Sequence, residues 1–436
     1  MLCLDEFDIL ELRENADECD YLFVVSPKIE TKICTKCGSC NVVNYGRYTK
    51  LVRDININEH YTALKIRGHK HLCKDCGSIF VDRFNTLDLC SKMTNRLRCK
   101  IQQLSLTKPF KHIAREYKLS VTTIEKIALA YIREKDSQHI MYSPEVLGID
   151  EAHLNGSIRC VLTDINEHLL FEMLPKRDKQ TVMNYLDSLP DSNNIKVVTM
   201  DMYRPYREAV YECLPDAAIV IDRFHVVKLI NDVLSDYRKT LCKQLSAAEK
   251  KEINSVQKVL NANRKDLTAN QNKKLGYIYS KYPELKMAYD LKEEFREIYE
   301  CTNRRAAVLK YTKWSRKVKP NFSPYISITE TVNRWSLEIF NYFDHPYTNG
   351  VTEAINGCIK AIARDGKGYS FEILRGKVLY GQAYKTKAIF SYNKFSPTVH
   401  YVTGHSTRSS LNMIQNLMNS YKQISGADID RLKLGL

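Results

Sequence analysis

No stretch of the chain approaches the ~20 consecutive apolar residues that a membrane-spanning helix needs, so a membrane partner is not expected. No repeat at a solenoid period and no long low-complexity tract is visible, which removes stacked-repeat and fibrous architectures from consideration. The opening MLCLDEFDILELRENADECDYL is acidic and interrupted; it fits neither a secretory signal nor a transit peptide. Fourteen cysteines without an export signal imply a reducing, cytoplasmic setting, where paired cysteines bind metal more often than they form disulfides.

Acidic excess is also missing. Lys+Arg total 66 against 51 Asp+Glu, a net charge of +15, and that imbalance favours a polyanionic partner, nucleic acid above all. The 436 residues suffice for about three domains, and an apolar fraction of 44% can fill real cores.

Pattern divides the chain. Residues 1–30 form an acidic lead-in, 31–85 carry cysteine pairs around β-rich runs such as VVNYGRY and YTALKIRG, and 90–135 are helical. VLGID, SIRCVLTD and HLLFEML then read as three strands separated by short turns, a meander. DKQTVMNYLDSLP is helical, NIKVVTMD a strand, YREAVYECL a helix and AAIVID a strand. A three-strand meander followed by two strand–helix crossovers gives a mixed α/β sheet over 146–235. Residues 236–345 lack strand runs and read as a helical insertion; 346–436 bring back core helices.

CTKCGS at Cys34 and Cys37 and CKDCGS at Cys73 and Cys76 each join C-x-x-C to Gly-Ser. Such turns let thiolates face one ion while glycine relieves the bend, so two of them make a four-cysteine structural zinc (Zn2+) site, a zinc ribbon. FKHIAREYKLSVTTIEKIALAYI has the pattern of a helix-turn-helix, with Ser120 capping the second helix and Thr122, Thr123 and Lys126 offered to a DNA major groove. An ordinary helical hairpin is the alternative.

Asp150 follows VLGI and Asp201 follows NIKVVTM. If the first and fourth strands run parallel, both carboxylates share the edge where open α/β sheets place ligands. Paired carboxylates repel unless a cation lies between them, and Mg2+ (or Mn2+) suits such a site on a phosphodiester. Asp222 lies at the same edge, either as a rival ligand or as the cap of the helix FHVVKLI, whose His225 is a further accessory candidate. In VTEAINGCIKAIARDGKGY, Glu353, Asn356, Lys360 and Arg364 follow at helical spacing opposite an apolar stripe of Val351, Ile355, Ile359 and Ile362. Those polar residues suit a metal-and-phosphate site or simply a solvated face.

GIDE (Gly148–Glu151), DMYRPY (Asp201–Tyr206), DRFHVVK (Asp222–Lys228) and TNGVTEAINGCIKAIAR (Thr348–Arg364) together resemble the ISL-three family of bacterial insertion-sequence transposases. The resemblance implies a ribonuclease-H-like catalytic core with a DDE triad, here Asp150, Asp201 and Glu353, interrupted by a helical insertion. It implies metal-assisted cleavage at transposon ends and strand transfer to target DNA, with the ribbon and helix-turn-helix reading the terminal inverted repeats. A homodimer or larger assembly on DNA is expected because two ends must be joined, and a nucleoid-associated location follows. Some members carry NN after TEG or TEA; here Gly357 stands at the second Asn position. In the insertion, Trp314 lies in a basic stretch and is a candidate to stack on an exposed base, a solvated helix with a buried Trp being the alternative, while Arg364 and Arg375 are candidates to clamp phosphate. A non-catalytic DNA-binding regulator and a structure-selective nuclease of the same fold are the competing readings.

Overall fold

A computed structural model describes residues 5–17, 19–28, 31–87, 92–154, 156–318 and 323–381. The expected C-terminal division 346–436 therefore lies outside the described residues beyond 381.

The N-terminal region is built on a long hairpin, β3 (Val42–Arg53) and β4 (Thr62–Cys73), with the short β5 (Ile79–Val81) also on β4. β1 (Phe7–Ala16) and β2 (Cys19–Pro27) complete the sheet in the order β1-β2-β4-β3, β2 running parallel to β4. Residues 7–27 thus share a sheet with the cysteine pairs rather than standing apart as a lead-in. The apolar run Leu22–Val25 of β2 drives this, because Val25 joins Phe7, Val52, Leu64, Ile66 and Leu87 in one core. β1 hides the signal, since Phe7 is its only buried residue.

Three helices follow: α1 (Asn95–Thr107), α2 (Phe110–Glu116) and α3 (Val121–Gln138). Ile101, Ile113, Tyr117, Ile124 and Ala128 close a common core. Lys118 takes a left-handed turn (φ 48°) between α2 and α3, and the Ser120 hydroxyl accepts from the Thr123 N–H at 3.1 Å, satisfying one free donor of the first turn of α3.

The second sheet contains β6 (Val146–Leu154), β7 (Ser157–Asp164), β8 (Leu169–Leu174), β9 (Val197–Met200) and β10 (Ala218–Ile221), in the order β10-β9-β6-β7-β8. β6, β7 and β8 are the antiparallel meander; β9 and β10 run parallel to β6. The crossovers are α4 (Lys179–Asp187) and α5 (Arg204–Cys213). β6 is not complete at Asp150 as its sequence suggests. It runs on to Leu154 against β7, whereas β9 accompanies it only from Val146 to Gly148. Beyond Gly148 one side of β6 is therefore free of strand pairing, and Asp150 lies on that stretch.

The period of two sorts β6 between two cores. Leu147 and Ile149 enter the large core with α4 and α5, while Ala152 and Leu154 face α14 (Gly350–Gly366) and α15 (Phe371–Tyr380). From β10 the chain continues through α6 (Arg223–Lys243) into α7 (Ala247–Asn254), α8 (Gln257–Asn261), α9 (Ala269–Lys281), α10 (Pro283–Arg296), α11 (Arg304–Lys317), α12 (Ser323–Arg334) and α13 (Ser336–Phe340). This helical region shares the large core with the sheet, through residues such as Leu285, Phe295, Trp314 and Phe340.

Candidate active site

β6, β9 and β10 bring three carboxylates to one edge. The last paired residues of β10 and β9 are Ile221 and Met200, so Asp222 and Asp201 are the next residue on each strand, beside Asp150. α6 starts immediately after Asp222, and His225 sits in its first turn. Ligand atoms of Asp150, Asp201 and His225 lie within 4.8 Å of one another; so do those of Asp222, His225 and Glu353. The two groups share His225. Glu353 therefore approaches the pair of aspartates through His225 rather than forming one tight triad with them.

Glu353 reaches the edge because α14 is pinned by a buried polar seam. Asn349 accepts from the hydroxyls of Thr352 (2.6 Å) and Thr199 (3.2 Å), and its amide donates to the Ile149 carbonyl at 3.3 Å. Thr163 and Thr352 hydroxyls lie 2.6 Å apart. Close approach is possible because Gly148 has no side chain: a Cβ there would lie 2.4 Å from Thr163 Oγ1 and 2.6 Å from Thr352 Oγ1. Ile355 and Ile359 then bury against β6, β7 and β8, each contributing roughly 1.5–3 kcal/mol.

The predicted polar face of α14 divides. Asn356 is buried, not on the solvated side, and its amide donates to Asp150 Oδ2 at 2.9 Å and to the Glu151 carbonyl at 3.3 Å. The edge of the sheet is itself polar, so a buried amide finds acceptors there. Lys360 and Arg364 are exposed, and stand about 10 and 16 Å along the helix axis from Glu353 at the ordinary rise.

Negative charge is in excess. Burial raises the pKa of Asp150, and burial together with repulsion from Asp150 and Glu151 raises Asp201 to about 6. Glu353 is raised by burial and by the neighbouring Asp222. Asp222 lies 3.4 Å from His225 Nδ1 and holds that imidazole toward its charged form. Although Asp222 occupies the cap position of α6, its side chain makes no capping hydrogen bond, so the expected capping role is replaced by the contact with His225. Asp201 Oδ1 is buried without a hydrogen-bond partner among the described residues. Two carboxylates, one of them with an unpartnered oxygen, and an imidazole are a donor set that fits a divalent cation.

Sequence reasoning missed Asn349, Thr352, Thr163 and Glu151, the last of which pairs with Arg177. TNG before a helix was the available signal for Asn349.

Two expected DNA contacts are corrected by burial and pairing. Trp314 is only 2% exposed; its indole donates to the Leu291 carbonyl at 2.8 Å and packs on Phe295 and Tyr311. A ring so enclosed cannot stack on a base. Arg375 is held by Glu172 (2.6 and 2.7 Å) and Asp136 (2.7 Å), because the nearly buried Glu172 carboxylate needs a counter-charge. Its guanidinium is thereby taken from phosphate. On α3, Thr122 and Lys126 are exposed and Thr123 is half-buried against Ser120.

In the N-terminal sheet the sulfurs of Cys34, Cys37, Cys73 and Cys76 converge, all within 4.8 Å. Cys34–Cys76 and Cys37–Cys73 are each 3.6 Å apart, close to the ~3.8 Å edge of a tetrahedron with Zn–S of about 2.3 Å. The two turns are alike: Gly38 and Gly77 donate to the carbonyls of Cys34 and Cys73, with φ of 76° and 69°. His71 is excluded from this cluster by its 2.8 Å contact with Asp82.

Comparison with known proteins relates the chain to a family and to individual relatives. The family model for ISL3-type proteins, described as "Transposase", matches residues 147–378. A transposase for insertion sequence element IS1001 of Bordetella parapertussis is 26% identical over 359 residues, 79% of this chain and 87% of that protein. A transposase for insertion sequence element IS1557 of Mycobacterium tuberculosis is 23% identical over 252 residues, 51% of this chain and 56% of that protein.

Proposed function

For a chain that belongs to the ISL3 family of transposases, we propose a metal-dependent DDE enzyme that cuts the ends of an insertion sequence and joins them to target DNA. The observation that carries this is the meeting of Asp150, Asp201 and His225, and of Asp222, His225 and Glu353, at one sheet edge. The meander with two parallel strands and a helical region before Glu353 supports a ribonuclease-H-like core with the insertion at 236–345.

Asp150, Asp201 and Glu353 are the proposed catalytic acids and ligands, with His225 and Asp222 as accessory groups. Magnesium or manganese bound there would supply charge to activate the attacking oxygen and stabilise the leaving oxygen of the phosphodiester. Asn356 fixes the Asp150 carboxylate, and the Asn349–Thr352 seam sets how far Glu353 reaches. In cleavage a water oxygen bonds to phosphorus and the bond to the 3′ oxygen breaks, leaving a 3′ hydroxyl. In transfer that hydroxyl attacks a target phosphodiester, and the displaced oxygen carries the proton away.

The four-cysteine site is proposed to hold a structural zinc. The sheet around it and α2–α3, with Thr122 and Lys126 outermost, are proposed to read the terminal inverted repeats, and Arg364 to contact phosphate. Joining two ends requires at least two copies on DNA.

The test is cleavage of duplexes carrying the element's own terminal repeats in Mg2+. Wild-type protein is expected to cut at the repeat end, and Asp201→Asn to bind the same DNA but lose cleavage by about a hundredfold to a thousandfold, the scale of loss when one group stabilising transition-state charge is removed. Equal cutting by Asp201→Asn would falsify the assignment. Cutting of DNA without the repeats at the same rate would favour a structure-selective nuclease, and end binding without cutting by wild type a regulator.

A further inference from the structure

Beside Glu353 lies a cavity of about 420 Å³ between the start of α6, the helical region and the start of α14. Its size is within the ~300–1,000 Å³ of pockets that enclose small ligands, and too small for a duplex. Phe224, on its wall, is 56% exposed although its neighbours Asp222 and Val226 are buried. Its ring meets the His225 imidazole edge-on, centroids 5.7 Å apart, and is otherwise left largely in water beside the acidic cluster. Tyr299 also contributes to the wall, with its hydroxyl enclosed in the protein away from solvent. Arg223 and Arg296 line the same space; no hydrogen bond or ion pair to a carboxylate engages either among the described residues. The nearby Glu300 is instead paired with Lys265.

Resting on the transposase reading, we propose that this cavity receives one unpaired nucleotide of the DNA end, its base stacked on Phe224 and its phosphate met by Arg223 and Arg296. Glu353 belongs both to the cavity and to the acidic cluster. An occupant of the cavity therefore lies next to the phosphate being cut, a position that favours a flanking nucleotide over a free small molecule. A base can enter only after leaving the helical stack, and stacking on the aromatic ring offsets that unstacking. Phe224 is thus a positioning residue, placing the scissile phosphate by holding its neighbour.

Terminal-repeat duplexes are compared in two forms, fully paired and with each nucleotide flanking the cut unpaired in turn. Phe224→Ala is expected to slow cleavage of the paired end about tenfold or more, and one pre-unpaired position is expected to recover most of that loss. Phe224→Trp should cut the paired end close to the wild-type rate. The subsite is overturned if Phe224→Ala loses the same factor on every substrate, or loses nothing. If wild-type protein cuts no substrate, the transposase reading beneath the proposal fails instead, so the two failures are separable.

Discussion

Asp201 is placed at a cost to the fold. Burial and the nearby Asp150 and Glu151 carboxylates raise its pKa from 3.8 to about 6. Below the unfolded value the group is neutral in both states and folding is unpenalised; as pH rises through about 6 the folded state must carry a poorly solvated charge and loses stability. The full shift corresponds to about 3 kcal/mol at most. Metal-free Asp201→Asn protein is therefore expected to melt higher than wild type at pH 7.5, with the gap closing between about pH 6 and pH 4 and narrowing when Mg2+ is added to wild type. Thermal unfolding with and without chelator measures this. A variant no more stable than wild type at pH 7.5 would show that the carboxylate is better solvated than its neighbours allow.

α14 owes its position to one residue without a side chain. Gly148→Ala would put a methyl 2.4 Å from Thr163 Oγ1, 2.6 Å from Thr352 Oγ1 and 2.7 Å from Ile165 Cδ1, so the helix must retreat from β6 and carry Glu353 with it. A stability loss of about 1–3 kcal/mol is expected, with end cleavage falling much further than end binding. Gly357 is the control on the same helix, since nothing lies within 4 Å of an added Cβ. Gly357→Ala should stabilise by roughly 0.5–1 kcal/mol and leave cleavage unchanged; equal behaviour of the two variants in melting and cleavage assays would refute the packing account. The same helix shows what a sequence discloses. Ile355 and Ile359 are visible as an apolar stripe because helical periodicity is local. Asn356 is left open between a site residue and a solvated one because its partner Asp150 is 206 positions away. The strands VLGID and NIKVVTMD place Asp150 and Asp201 on a common edge by topology alone. The bridging position of His225 depends on how α6 leaves β10, which no periodicity encodes. Trp314 and Arg375 misled for a related reason: a basic neighbourhood describes the chain around a residue and not whether its ring or guanidinium is enclosed.

The N-terminal sheet is joined to the core through the three helices after it. Asp54 receives the Thr94 hydroxyl and the Arg96 guanidinium at 2.7 Å, and the Asn56 amide donates to the Glu116 carbonyl at 2.9 Å. α15 then docks on those helices: Ile373 enters their core, Lys377 donates to the Lys108 carbonyl at 3.0 Å, and Arg133 meets Glu372 at 2.9 Å. A path of direct contacts thus links the proposed repeat-reading surface to α15, which packs against the helix bearing Glu353. The two ends of this path differ in self-sufficiency. The sheet at 7–81 rests on two small apolar clusters, while the second sheet and the helical region share one large core. A small core needs a metal or similar staple, and the four convergent thiolates can hold one worth much of the folding free energy. Stripping zinc with a strong chelator is expected to release one equivalent per chain and to unfold the N-terminal sheet alone, leaving the core transition in calorimetry nearly unmoved. Repeat-specific binding should then vanish, while weak, salt-sensitive affinity for any DNA persists because the net charge of +15 remains. Chelated protein that still prefers its repeats would place recognition on α2 and α3 without help from the sheet, since their core, built from residues such as Ile101, Ile113 and Ile124, contains no cysteine.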